Sequence, residues 1–171
     1  KKNDNGYLGT VRNCFVYADI TVHGVGGENG AVGGITSAQS DGGQIYNCYV
    51  GGSISVLGEQ AESVGGVTGN LKSGQALENT LMLLREINVA DGTLIGLLCG
   101  DYAGETGSHL VNDYVFSGTQ LSGGVTSDHP DTAAYTAADA ATILAKSFYT
   151  DQLDWDFDAL WTWIGDYTAG Y

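Results

Sequence analysis

The chain has 171 residues, with 27 glycines, one proline, 43% hydrophobic residues, and a net charge of −14 from 20 acidic and 6 basic side chains. That balance argues against nucleic acid and anionic membrane as partners, since no basic patch exists to release counterions. No apolar run is long enough to insert into a bilayer, and three cysteines, an odd number, do not make a disulfide framework.

Residues 1–8 read as the end of a preceding turn, and the opening Lys1-Lys2-Asn3-Asp4 as the start of a fragment cut from a longer protein. The stretch Gly9-Thr10-Val11-Arg12-Asn13-Cys14-Phe15-Val16 then recurs in layout as Gly43-Gln44-Ile45-Tyr46-Asn47-Cys48-Tyr49-Val50. Each copy is followed by a second block, Val32-Gly33-Gly34-Ile35-Thr36 or Val64-Gly65-Gly66-Val67-Thr68. A looser third copy begins Leu77-Glu78-Asn79-Thr80-Leu81-Met82, and a fourth begins Leu110-Val111-Asn112-Asp113-Tyr114-Val115. The anchoring asparagines Asn13, Asn47, Asn79 and Asn112 are spaced 34, 32 and 33 residues apart. Self-similarity at such a period marks a repeat architecture.

Alternation turns Val11, Cys14, Val16, Ile20 and Val22 inward in the first repeat, and Ile45, Cys48, Val50, Ile54 and Val56 inward in the second. Short runs rich in Val, Ile, Thr and Tyr, broken by glycine, are strand signals. One such repeat cannot bury its apolar side alone, so successive repeats must stack. The predicted fold is all-β: a right-handed parallel β-helix, or β-solenoid, of about four coils over residues 1–127, with a small helical and aromatic cap over 128–171. The four asparagines form its structural ladder, one per coil, bonding up and down the stack at a bend. Gly33-Gly34 and Gly65-Gly66 serve close packing between coils rather than phosphate binding, because no helix follows them. Cys14 and Cys48 read as small buried hydrophobes rather than a stacked disulfide.

The third repeat has four apolar residues in a row, Leu81-Met82-Leu83-Leu84, which predicts cover on both faces, supplied by the C-terminal segment. The fourth places Asp113 where cysteine is expected. Beyond the repeats, Thr136-Ala137-Ala138-Asp139 resembles a capping box and predicts a helix through Tyr149, with Ala140, Ile143, Leu144 and Phe148 as its apolar stripe. The aromatic run from Trp155 to Trp163 suits a lid over the end or flank of the stack better than a sugar platform. Phe15, Tyr49, Tyr114 and Trp163 are the candidate ligand-surface aromatics.

Repeats built as Ile/Val-x-Asn-Cys-Tyr/Phe followed by Val-Gly-Gly-Ile/Val resemble the GLUG-motif repeats of large secreted or wall-attached bacterial proteins. These include adhesin-like proteins and the non-catalytic region of immunoglobulin A-cleaving zinc peptidases. The ending, Phe148-Tyr149, Trp155-Asp156-Phe157 and Leu160-Trp161, resembles the segment that closes such arrays. The resemblance covers residues 9–163 and brings no catalytic residues with it. It implies a solenoid module at the bacterial cell surface or outside the cell.

The three histidines, His23, His109 and His129, lie far apart and fit no zinc spacing. Asp19, Asp41, Asp91 and Asp101 are the carboxylates that a polysaccharide-cleaving site would need, but they fall at different repeat positions. No cofactor, metal or catalytic residue is assigned. The expected function is that of a non-catalytic, monomeric stalk, spacer or adhesion surface, alone or as the accessory region of a surface peptidase. Its partners would be a host glycan or glycoprotein, or neighbouring domains of its own chain. The alternative is a polysaccharide-binding or polysaccharide-cleaving β-helix domain.

Overall fold

The structure is a computed structural model, and it describes residues 9–24, 30–38, 43–57, 61–71, 74–102, 109–126 and 135–163. It is mostly β, with parallel sheets and two short helices, a composition compatible with a parallel β-helix. The first repeat supplies β1 (Thr10–Arg12), β2 (Phe15–His23), β3 (Ala31–Gly33) and β4 (Thr36–Ala38). The second supplies β5 (Gln44–Tyr46), β6 (Tyr49–Leu57), β7 (Ser63–Gly65) and β8 (Thr68–Leu71), and the third β9 (Ala76–Glu78), β10 (Leu81–Asn88), β11 (Leu94–Gly96) and β12 (Cys99–Tyr102). The fourth supplies β13 (His109–Val111), β14 (Asp113–Phe116), β15 (Gln120–Ser122) and β16 (Val125–Thr126). After it come β17 (Tyr135–Ala138), α1 (Ala140–Ile143) and α2 (Lys146–Asp151).

Corresponding strands of successive repeats lie side by side. The sheet orders are β1-β5-β9-β13, β2-β6-β10-β14-β17, β3-β7-β11-β16 and β4-β8-β12, and β15 pairs with β10. The repeat period sets the register. Val11, Ile45, Leu77 and Leu110 are consecutive partners in the first sheet. Val16, Val50, Met82 and Val115 are consecutive partners in the second. These columns face a shared interior, where Ile45, Val50, Ile54, Val64, Leu77, Met82 and Leu84 are buried. Alternation therefore acts with the pleat: a slip of one residue would carry every one of these side chains to solvent.

β10 resolves the run of four apolar residues. Met82 and Leu84 enter the main core, whereas Leu81 and Leu83 face the other way, into a second cluster with Ala138, Phe148, Leu153 and Trp155. Register against β6 then shifts between Leu84 and Glu86, leaving Arg85 as the extra residue. Its guanidinium reaches across β6 to Asp19 at 2.7 Å. Ser53 of β6, which donates to the same carboxylate oxygen at 2.8 Å, is small enough to lie beneath that bridge.

Three expectations are corrected. Residues 135–138 are a strand, not the start of a helix: β17 pairs in parallel with β14 along its whole length. The unsatisfied edge of β14 outweighs the weak helical preference of Tyr-Thr-Ala-Ala. The N-cap is Asp139, whose carboxylate accepts from Thr142 N–H at 2.8 Å, and the expected single helix breaks at Leu144–Ala145 into α1 and α2. Of its stripe, Phe148 is buried and Ile143 partly so, while Ala140 and Leu144 are exposed. Finally, Cys14 is exposed and only Cys48 is buried, because β1 and β2 are edge strands with no neighbour on the outer side among the described residues.

The glycine pairs stand where neighbouring repeats touch. A Cβ on Gly66 would meet the backbone oxygen of Leu97 and lie 2.7 Å from Met82 Cγ, both in the third repeat. A Cβ on Gly33 would lie 2.6 Å from Thr68 Cα in the second. Gly66→Ala is therefore expected to lower stability by about 1–3 kcal/mol through overpacking against backbone that cannot yield. Chemical denaturation of the single variant measures this, and a neutral result would show that the repeats have slack between them.

Candidate functional site

The asparagines stand at the corner between the first and second sheets. Asn13, Asn47, Asn79 and Asn112 have φ of 53, 53, 52 and 56°, in the left-handed region that asparagine tolerates better than other side chains apart from glycine. Their backbone N–H groups step down the stack: Asn13 donates to Tyr46 O, Asn47 to Glu78 O and Asn79 to Val111 O, at 3.0–3.2 Å. The side chains form two rungs. Asn47 Nδ2 donates to Asn13 Oδ1 at 3.4 Å, and Asn112 Nδ2 to Asn79 Oδ1 at 2.7 Å. Asn47 Oδ1 is buried without a partner among the described residues. The lower rung is also where the C-terminal segment docks: Trp155 Nε1 donates to Asn79 O at 3.1 Å, and Asn112 Nδ2 donates to Gln152 O.

The residue after each asparagine faces inward. Cys14 and Cys48 each donate their thiol to the carbonyl two residues back, Arg12 O at 3.1 Å and Tyr46 O at 3.2 Å, and Thr80 donates to Glu78 O at 3.2 Å. Asp113 fills the fourth place with 1% exposure. Its Oδ1 accepts from Thr80 N–H at 2.9 Å, and its Oδ2 is buried without a partner among the described residues. Burial pushes its carboxyl up to about 8, with a smaller contribution from the nearby Glu78, against the lowering effect of backbone hydrogen bonds. Only a protonated carboxyl can donate as its three predecessors do. Burial likewise pushes the Cys48 thiol up to about 11.

The outer face of the second sheet carries the aromatic groups. Phe15, Tyr49, Leu81 and Tyr114 are consecutive partners in register. Phe15 stacks on Tyr49 with centroids 5.4 Å apart, and Tyr49 meets Trp155 and Trp161, each at 6.3 Å. Trp155 and Trp161 stack on each other at 4.5 Å. Tyr114 lies edge-on to Phe148 at 5.0 Å, and Trp163 contacts Tyr149 and Phe157. Of the four candidate ligand-surface aromatics, then, Tyr49 and Tyr114 pack against the C-terminal segment, and Trp163 packs within it. Phe15 stays open at 62% exposure, beside Tyr17 at 68%. Tyr17 was not singled out from the sequence. Its ring overlies Gly51, its partner on β6, and only the absence of a side chain there leaves the ring room. An open groove of about 430 Å³ runs between β17 and α2, lined by Tyr114, Thr136, Ala138, Phe148 and Gln152.

The carboxylate candidates do not converge. Asp19 is on the second sheet beside Arg85 and Ser53, with its carboxyl held below the usual range by the Ser53 hydrogen bond and then by Arg85. Asp101 is on β12 of the fourth sheet, and Asp91 is in the turn between β10 and β11. His23 ends β2 and His109 begins β13. Asp41 and His129 lie outside the described residues. Among the described residues no three His, Cys, Asp or Glu side chains are grouped to hold a metal ion, and no helix is long and apolar enough to cross a membrane. No protein-family model, curated protein or solved structure matches the chain.

Two outcomes follow from the inward column. Cys14 should react with a thiol reagent in the folded protein, while Cys48 and Cys99 react only after denaturation, since burial blocks access to both. Mass spectrometry after timed alkylation reads the order, and equal labelling of Cys14 and Cys48 would contradict the placement. For Asp113 the folded state keeps a proton that the unfolded chain gives up above 3.8. Its contribution to stability is therefore complete below that value and declines as pH rises, until the folded group ionises at about 8. The slope is at most about 1.4 kcal/mol per pH unit. Asp113→Asn keeps an acceptor for Thr80 and removes the titration. Denaturation midpoints of the two proteins across this range should diverge in the variant's favour as pH rises. Parallel curves would mean that Asp113 is solvated.

Proposed function

We propose that the chain is a non-catalytic right-handed parallel β-solenoid module of about four coils, capped by its C-terminal segment, in a secreted or surface-attached bacterial protein. It acts as a stalk, spacer or adhesion surface. The observation that carries this reading is the in-register column: one residue from each of the four repeats, in parallel strands, in both the first and the second sheet. Such a body grows by about 4.8 Å for each added repeat and gains length without a new core. The GLUG-like repeats and ending support the surface context, and the acidic balance supports a solvated exterior.

The reading as a polysaccharide-binding domain is favoured by one feature, the open rings of Phe15 and Tyr17 beside the Asp19–Arg85 pair on one face of β2. Flat rings flanked by charged hydrogen-bonding groups suit a sugar's apolar face and its hydroxyls. A glycan panel, read for both retention and release of reducing ends, separates the readings. The spacer function predicts neither. Retention lost on combining Phe15→Ala with Tyr17→Ala would make the module an adhesin, and release of reducing ends would overturn the non-catalytic assignment.

A further inference from the structure

The structure assigns Cys14 and Cys48 as a disulfide pair, an intramolecular cross-link that ties the first repeat to the second when a small disulfide oxidant is present. The two residues hold the same place, directly after the left-handed asparagine of their repeats. Register is unbroken on both sides of them: Arg12 pairs with Tyr46 before, and Phe15 with Tyr49 after. Asn13 N–H donates to Tyr46 O at 3.2 Å and Tyr49 N–H to Cys14 O at 3.0 Å, so the backbones stay in ladder contact through the corner. Strands in such contact lie about 4.8 Å apart, and a disulfide joins α-carbons roughly 4.4–6.8 Å apart.

Side-chain direction agrees. Each thiol donates to the carbonyl two residues back, Arg12 O for Cys14 and Tyr46 O for Cys48, so both point to the same side of the chain. The Cys48 thiol also reaches across the repeat boundary to Val11 O at 3.9 Å. Both the backbone and the side chain of Cys14 act on the Cys48 thiol at hydrogen-bonding range. A sulfur bridge draws the β-carbons slightly closer than the strand spacing. Both cysteines lie between strands, at the corner, where the chain yields more readily than inside a sheet.

Three cysteines allow three pairings, and register leaves one. The next residue beside Cys48 is Thr80, whose neighbour Leu81 donates its N–H to Cys48 O at 2.9 Å. Cys99 begins β12 and pairs with Thr68 in the fourth sheet.

The reaction exchanges one disulfide for another. The Cys14 thiolate attacks a sulfur of a small disulfide such as oxidised glutathione, breaking its S–S bond and releasing one glutathione thiol. Cys48 then gives up its proton and attacks Cys14 Sγ, and the second glutathione leaves as the mixed disulfide breaks. Two protein thiols are oxidised, one small disulfide is reduced, and the two protons end on the released thiols. Burial pushes the Cys48 thiol up to about 11, so the second step is the slow one and quickens as pH rises.

Intact mass and a non-reducing peptide map of the 171-residue chain, after incubation with oxidised glutathione under native conditions, test the assignment. The expected result is a glutathione adduct on Cys14 that converts to a species two hydrogens lighter than the reduced chain. In that species Cys14 is joined to Cys48 and Cys99 remains a thiol. The closed form should melt about 5 °C or more above the reduced one, and a reductant should return it to the reduced midpoint. Cys48→Ser should stop at the adduct and lose the shift. If that variant does not fold, the peptide map and the reversible shift of the parent chain decide alone. An adduct on Cys14 that never closes would overturn the proposal. So would a link to Cys99 or between two copies, closure that occurs only in denaturant, or a closed form that melts no higher than the reduced one.

Discussion

Everything else in the molecule depends on four residues held in a left-handed backbone conformation. Asn13, Asn47, Asn79 and Asn112, at φ of 52–56°, turn the chain from the first sheet into the second at the same point of each repeat. A corner that recurs every 32 to 34 residues brings the following strands into parallel register. Register then decides which side chains meet. Val stacks on Val and Met inward, and Phe on Tyr outward, while the residue after the asparagine, at Cys48 and Thr80, becomes an interior hydrogen-bond donor. The side-chain rungs between asparagines are a weaker supplement: one measures 3.4 Å, one is short, and one carbonyl oxygen has no partner among the described residues.

The same corner receives the C-terminal segment. A left-handed residue between two strands frees its carbonyl from the ladder, and Asn79 offers that oxygen to the indole of Trp155. Around this bond Leu81, Phe148, Leu153 and Trp155 form a second core against the outer face of β10. The segment thus covers a flank of the second sheet and adds β17 to its edge. Phe15 and Tyr17, on the same face but in the first repeat, are left open.

The repeat, the inward columns and the role of Leu81–Leu84 were legible because alternation and a fixed spacing are written in adjacent residues. Three features were not. The strand at 135–138 exists only because β14 presents an edge, which a local helical signal such as Thr-Ala-Ala-Asp does not register. The exposure of Cys14 depends on its place beside strands that have no outer neighbour among the described residues, since by sequence it equals Cys48. Tyr17 became a surface residue through Gly51, its partner 34 positions away, which leaves room for the ring. In each case a neighbour distant in sequence decided the outcome. Asp113 was readable as an anomaly at a cysteine position, but its 1% exposure required the packed structure.

Backbone conformation at the asparagines, rather than their side-chain rungs, holds the register. Asn47 is the cleanest place to test it, because among the described residues its side chain makes one 3.4 Å bond and leaves Oδ1 unpartnered. Glycine adopts φ near +53° without strain, whereas alanine there costs about 1–2 kcal/mol before any lost hydrogen bond. Equilibrium denaturation of Asn47→Gly and Asn47→Ala should therefore leave the glycine variant within about 1 kcal/mol of the parent, allowing for the greater freedom of its unfolded chain. The alanine variant should fall about 1–2 kcal/mol below the glycine variant. Equal losses in the two, or a larger loss in glycine, would contradict the account and place the register in the side-chain ladder instead.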